Sequence, residues 1–245
     1  MKILIISDAW LPQVNGVVQT YENIITELEK MGHQTMVIGP SDFPLRIPLI
    51  GYTEIKLALF PYGRLKKKIE AFNPDSIHVA TEGPLGMASK KYCLKHRVPF
   101  STSYHTQFPD YVEKRIRRHM PFLSKTAYKI AVRNICRFHS ASTALLVTTK
   151  SMAEELQKWG IKTPIHFFTR GVNQDWFFPP QNDSDRPHFK DLKKPIALYV
   201  GRIAIEKSIE DFLDMEWDGS KVVVGHGPDT AVSYTHLTLP TTVIV

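Results

Sequence analysis

Apolar residues follow two rhythms along this chain. Residues 2–7, Lys-Ile-Leu-Ile-Ile-Ser, form a short continuous apolar run, as a strand buried on both faces does. Residues 8–16 follow as a loop holding Pro12, Asn15 and Gly16. Val18, Tyr21, Ile24, Ile25, Leu28 and Met31 then recur at helical spacing, a stripe that faces a sheet. Gly32 stands where a glycine ends such a helix, and residues 35–39 make the next strand. Strand, loop, helix and strand in that order predict a βαβ unit. The alternation continues with strands over residues 76–80, 99–104, 143–148 and 165–169, and a helix over residues 83–96. Ser151 and Glu154 make a capping box that starts another helix, running to about Trp159 and ended by Gly160. Such repetition predicts an α/β fold with a mostly parallel sheet covered on both faces.

The pattern breaks at Pro179. Residues 179–194 are polar, charged and proline-rich, the composition of a linker. A new βα unit follows, with a strand over 196–200, a loop over 201–207, a short helix over 208–215 and a strand over 221–224. The expected division is a first domain over residues 1–178, a linker over 179–194 and the start of a second domain over 195–231. That last piece is too short to bury a core of its own. From Val232 the residues VSYTHLTLPTT continue neither rhythm. They read back into a nucleotide string matching a transposon adapter used in sequencing libraries. Residues 232–245 are therefore expected to be a non-native tail.

The net charge of +7 favours anionic partners: nucleotide phosphates, an anionic membrane surface or nucleic acid. No helix-turn-helix, zinc or RNP-like pattern accompanies it, so nucleic acid is not expected. No apolar run is long enough to span a bilayer. The N-terminal run is too short for a signal peptide and lacks a small-residue cleavage site, so a cytoplasmic location is expected. Cys93 and Cys136 have no metal-ligand spacing and read as buried free thiols.

Four segments carry candidate chemistry. The loop over residues 8–17 joins the first strand to the first helix, where ligands of open α/β folds bind. Gly16 there lets an anion approach backbone N–H groups at the positive helix end. The loop is not G-x-G-x-x-G, so a dinucleotide fingerprint is absent. The loop over residues 201–207 offers Arg202 and Lys207 directly after a strand, a planar fork and a point charge suited to a pyrophosphate. His105 ends a third strand. Glu82, in Thr81-Glu-Gly-Pro-Leu-Gly86, either bonds a hydroxyl or caps the next helix. Each feature alone also fits an ordinary turn or a solvated charge.

Taken in order, the strings SDAWLPQVNGVVQT, TEGPLG, SYHTQFPDY, TRGVNQDWFFP, VGRIAIEKSIEDFL and VVVGHGP resemble the retaining GT-B glycosyltransferases. These include bacterial phosphatidylinositol mannosyltransferases, plant sulfolipid synthases and GDP-mannose-dependent α-mannosyltransferase-like proteins. The resemblance spans residues 1 to about 229 and implies two Rossmann-like domains. It implies transfer of mannose or glucose from a nucleotide sugar to a lipid or glycan acceptor, with retention and without a metal or other cofactor. Asn15 and Gly16 would meet the donor diphosphate from one side, Arg202 and Lys207 from the other. His105 would lie by the transferred sugar as the catalytic residue, with Glu82 and Tyr104 on the acceptor side. The family's paired glutamates, seven residues apart, are expected beyond Pro228, so this stretch alone is expected to be inactive. Ser208 stands where relatives often carry Asn, His226 where Asp is usual, and Asn173 where Asp is frequent.

Weaker signals remain. Asp183-Ser-Asp185 spells a D-x-D but lies in the polar linker and reads as solvated. Arg64 and Lys66–Lys68 form one basic cluster; Lys114, Arg115, Arg117, Arg118 and His119 form a second, followed by apolar residues. The second fits either a solvated helix face or peripheral attachment to an anionic bilayer, such as the inner face of a plasma membrane. The rival functions are another GT-B enzyme, such as a UDP-sugar epimerase, and a non-catalytic membrane- or acceptor-binding half-domain.

Overall fold

The computed structural model describes residues 1–49, 52–172, 174, 177–179, 192–204, 207–227 and 241–244. It divides into two compact units, Met1–Arg170 and Gly171–Val245. The linker residues 180–191, with the Asp183-Ser-Asp185 triplet, and the tail residues 232–240 lie outside the described residues, as does Asn173.

The first unit begins with β1 (Lys2–Ile6), α1 (Gly16–Lys30) and β2 (Gln34–Ile38). The Asn15 side chain caps α1, accepting from the N–H groups of Val17 and Val18. Gly32, at φ +81°, supplies the left-handed turn that stops the helix. An antiparallel hairpin follows, β3 (Arg46–Leu49) and β4 (Tyr52–Ala58), then α2 (Tyr62–Phe72). Next come β5 (Ser76–Val79), α3 (Pro84–His96) and β6 (Ser101–Tyr104). A helical pair, α4 (Phe108–His119) and α5 (Pro121–His139), leads to β7 (Ala144–Val147), α6 (Lys150–Lys158) and β8 (Ile165–Phe167).

Six strands pair in the order β2-β1-β5-β6-β7-β8, all parallel. Side chains alternate across a strand, so β1 serves two cores. Leu4 and Ile6 pack with Ile38, Val79, Leu65 and Ile69 of α2, and Leu85 of α3. Ile5 points the other way and packs with Tyr21 of α1 and Ala80. Tyr104, Leu145 and Val147 build a third cluster with Ile135 and Leu156.

Two expectations change, and one cluster gains partners. The first residue of α6 is Lys150, capped by Thr149, whose hydroxyl accepts from the Met152 N–H at 3.2 Å. Thr149 is still extended as it leaves β7, whereas Ser151 is already helical, so the cap falls two residues earlier than the Ser151–Glu154 pattern indicates. Both cysteines are free, but only Cys93 is buried; Cys136 is partly exposed. The α2 basic cluster is partly paired, Lys68 with Asp42 at 2.7 Å and Lys66 with Glu70 at 3.6 Å.

The second unit holds β9 (Ile196–Val200), α7 (Ile209–Asp214), β10 (Ser220–Val224) and β11 (Thr241–Ile244), with the strands parallel in the order β11-β10-β9. Its core is small: Ile203, Ile209, Leu213 and Val223, with Tyr199 and Phe212 against it. Ser208, before α7, has φ +48°, a left-handed conformation that Asn adopts more readily than Ser.

Candidate functional site

The carboxyl ends of β1, β5 and β6 gather the polar residues of the first unit. Asp8 follows β1 and is 5 % exposed. Its carboxylate accepts from the N–H groups of Leu85 (2.9 Å) and Gly86 (3.2 Å) at the start of α3, and from the Thr81 hydroxyl (3.0 Å). Thr81 in turn accepts from the Asp8 N–H at 2.7 Å. Burial pushes the carboxyl up to about 6 against the pull of these donors. The TEGPLG string is built around this contact. A Cβ on Gly83 would stand 2.4 Å from the Asp8 carboxyl carbon, and one on Gly86 would stand 1.9 Å from the Thr81 carbonyl oxygen. Only glycine lets α3 start this close to β1.

A second network lies beside it. The Tyr21 hydroxyl, carried in from α1, is 2.7 Å from His78 Nε2, 3.0 Å from Ser103 Oγ and 3.0 Å from His105 Nε2. Ser103 Oγ is 2.9 Å from His78 Nε2, and His78 Nδ1 is 2.8 Å from Ser101 Oγ. Arg170 donates to His105 Nδ1 at 3.3 Å. Its guanidinium also lies 3.5 Å from where a Cβ on Gly16 would stand. Burial lowers His78 to about 4. Burial, then the Arg170 charge and the neighbouring His78 and His139, lower His105 to about 3. Both imidazoles are therefore neutral near pH 7.

Of the residues singled out from the sequence, Asn15, Gly16, Glu82 and His105 converge on this edge of the sheet. Glu82 is met by His139, at the end of α5, whose Nε2 donates to its carboxylate at 3.1 Å. His139 Nδ1 is 2.9 Å from the Thr102 hydroxyl. Tyr104 is placed differently from its acceptor-side expectation. It is fully buried, its ring edge-on to His139 and Trp159. Its hydroxyl has no partner among the described residues. Tyr104 is the last residue of β6 and falls on the core face, while His105 beyond it turns to the sheet edge. Sequence reading did not assign Asp8, Tyr21, His78, Ser103, His139 or Arg170. Tyr21 was hidden in the apolar stripe of α1, because its ring packs as core while its hydroxyl reaches across to β5 and β6.

Arg202 and Lys207 belong to the second unit, both in the loop after β9. Tyr199 donates to the Arg202 carbonyl at 2.8 Å, and the Lys207 N–H bonds Ala204 at 2.8 Å. The glycines after β10 make room for that loop. A Cβ on Gly225 would stand 1.9 Å from the Gly201 carbonyl oxygen, and one on Gly227 would stand 2.0 Å from that of Ile203. Among the described residues no three His, Cys, Asp or Glu side chains are grouped to hold a metal ion.

The fold is that of a GT-B glycosyltransferase. Sucrose-phosphate synthase from Thermosynechococcus elongatus superposes with a TM-score of 0.71 at 16% identity, over 99% of this chain and 70% of that one. The chain belongs to Glycosyltransferase Family 4, whose sequence pattern matches residues 14–176. A GDP-mannose-dependent alpha-mannosyltransferase of Mycobacterium tuberculosis is 26% identical over 252 residues, 94% of this chain and 64% of the relative. An alpha-monoglucosyldiacylglycerol synthase of Acholeplasma laidlawii is 27% identical over 259 residues, 95% of this chain and 65% of the relative. The chain thus spans less than two thirds of the length of these curated relatives.

Proposed function

We propose that the protein containing this chain transfers a hexose, mannose or glucose, from a nucleotide sugar to a lipid or glycan acceptor with retention of configuration. The observation that carries this reading is the convergence of Gly16, Arg170, His105 and Glu82 at the carboxyl edge of the sheet, in a chain of this family. Gly16, with the Asn15 amide that caps α1 beside it, meets the donor diphosphate, and in the second unit Arg202 and Lys207 are the cations suited to such a group. Neutralising the departing diphosphate lowers the barrier to breaking the sugar–phosphate bond, and fixed charges do this without reorganising. No metal or other cofactor has a part in this scheme. His105 lies by the transferred sugar as a neutral imidazole, and Glu82, steadied by His139, serves the acceptor side. The test is an NMR titration of the complete protein with GDP-mannose and UDP-glucose. Shifts at residues 15, 16 and 105 are expected with one donor; silence with both sinks the reading.

The acceptor is presented at an anionic membrane, which the chain meets from the cytoplasmic side through α4 and α5. Lys114, Arg115, Lys125, Lys129 and Arg133 are exposed on this pair, next to Phe108, Met120, Phe122 and Leu123, of which Phe122 is 78% exposed. Exposed aromatic and aliphatic tips beside cations suit the headgroup region of a bilayer. No helix among the described residues is long and apolar enough to cross a membrane. Sedimentation with phosphatidylglycerol vesicles is expected to fall with added salt and with Phe122→Ser. Equal binding to neutral vesicles would refute this part.

A further inference from the structure

His105 has both ring nitrogens engaged. Arg170 is always protonated and has no acceptor, so at the 3.3 Å contact it donates and Nδ1 accepts. A neutral ring whose Nδ1 is an acceptor carries its proton on Nε2. That nitrogen lies 3.0 Å from the Tyr21 hydroxyl, whose oxygen accepts. The Tyr21 proton then points to His78 Nε2 at 2.7 Å and Ser103 Oγ at 3.0 Å, and Ser103 Oγ is itself 2.9 Å from His78 Nε2. His78 closes the chain by donating from Nδ1 to Ser101 Oγ at 2.8 Å. With either partner for the Tyr21 proton, the Tyr21 oxygen accepts from His105, and that direction is set at its start by a guanidinium that cannot reverse. The tyrosine ring also braces the imidazole edge-on, with centroids 5.6 Å apart.

We propose that Tyr21 and Arg170 are positioning residues that clamp His105 in one neutral tautomer, with its proton on Nε2. His105 is then no proton donor to a leaving group or acceptor. It is a fixed uncharged wall of the site, and the permanent charge beside it belongs to Arg170. The groups facing the ring are Arg170, His78, His139 and Tyr21, with the uncharged Phe168 ring tilted at 60° to it at 6.4 Å. Of the carboxylates on this edge, Glu82 is engaged by His139 and Asp8 by Thr81, Leu85 and Gly86, so the hydrogen bonds of His105 go to Tyr21 and Arg170.

This inference rests on the reading of His105 as a sugar-side residue but is tested apart from it. The probe is the ring nitrogen spectrum of the 245-residue chain labelled with 15N-histidine, His105 being assigned by the signal lost in His105→Gln. The expected result is an unprotonated Nδ1 and a protonated Nε2, unchanged from pH 8 to pH 5. Arg170→Met should free Nδ1, giving a tautomer mixture and a ring pKa raised by at least one unit, while Arg170→Lys restores a donor and narrows that change. Tyr21→Phe should shift the tautomer balance without moving the backbone spectrum. Arg170 is exposed, so its variants keep the test alive if Tyr21→Phe does not fold. A proton on Nδ1 in the unaltered chain, a titration near that of free histidine, or a tautomer indifferent to Arg170→Met would overturn the proposal. If instead the tautomer behaves as stated but the His105 signals ignore nucleotide sugar in the complete protein, the sugar-side reading alone fails.

Discussion

The first strands of the two units, Lys2-Ile-Leu-Ile-Ile and Ile196-Ala-Leu-Tyr-Val, carry similar apolar runs and meet different fates. In β1, Leu4, Ile5 and Ile6 are all buried, because β2 and β5 flank the strand and helices cover both faces. In β9, Tyr199 packs against Phe212 of α7, but Leu198 is 50% and Val200 69% exposed. β9 is an edge strand among the described residues, and a six-residue helix covers one of its faces. An apolar run therefore specifies a strand, while its burial depends on the neighbours that later segments supply.

The largest expected effect tests whether both units depend equally on backbone-to-backbone contact. Gly86→Ala and Gly225→Ala each place a Cβ 1.9 Å from a carbonyl oxygen, and Gly225 is also at φ +151°. Neither oxygen can move as a side chain would. We expect each to lose about 3 kcal/mol in its own unit by urea unfolding. Hydrogen exchange should show the Gly225→Ala loss confined to the second unit. A global loss from that change would break the division into two units.

The acid response separates the units more finely. His78 and His105 stay neutral in the fold down to about 4 and about 3, while in the unfolded chain they bind protons below about 6.5. The unfolded state thus holds more protons in that window, and stability of the first unit falls as pH drops from about 6.5 toward 4. Asp8 works the other way. Its folded carboxyl keeps its proton up to about 6 and the unfolded one loses it near 3.8, so its contribution declines as pH rises through that interval. We expect a net loss of about 3 kcal/mol in the first unit between pH 6.5 and 4, with little change in the second. Asp8→Asn removes the opposing contribution and should steepen the fall. Asp8→Ala, at neutral pH, should cost about 2 kcal/mol by leaving the first amides of α3 unpaired.

The smallest effect concerns Tyr104. Its buried hydroxyl has no partner among the described residues, so Tyr104→Phe should leave thermal stability unchanged or raise it by up to about 1 kcal/mol. A clear loss of activity in the complete protein with stability intact would return Tyr104 to the acceptor side.

Much of the sheet was legible because its strands and covering helices bury apolar residues at regular spacing, as in β1, α1 and β2. The β3–β4 hairpin was not, since Arg46, Ile47, Pro48 and Leu49 are all exposed and no inside–outside alternation marks them. The helix α4 was seen only as a run of charge, because Lys114, Arg115, Arg117 and Arg118 outweigh a short stripe of Tyr111, Val112 and Ile116 that is only partly buried. The site was half legible. Glycines, His105 and Glu82 show themselves at predicted strand ends. Tyr21 meets His78 and Ser103 at separations of 57 and 82 residues, and such a meeting follows from parallel register, which no local pattern encodes.

Asp8 places an acid on the first amides of α3, while the start of α1 is met by the neutral Asn15 amide and, near Gly16, the Arg170 guanidinium. Two helix starts on one sheet edge thus carry opposite local charge. The electrostatic potential slopes along that edge from Asp8 toward Arg170. An anion approaching that edge is therefore drawn toward its Arg170 end and repelled from its Asp8 end before any contact of shape is made.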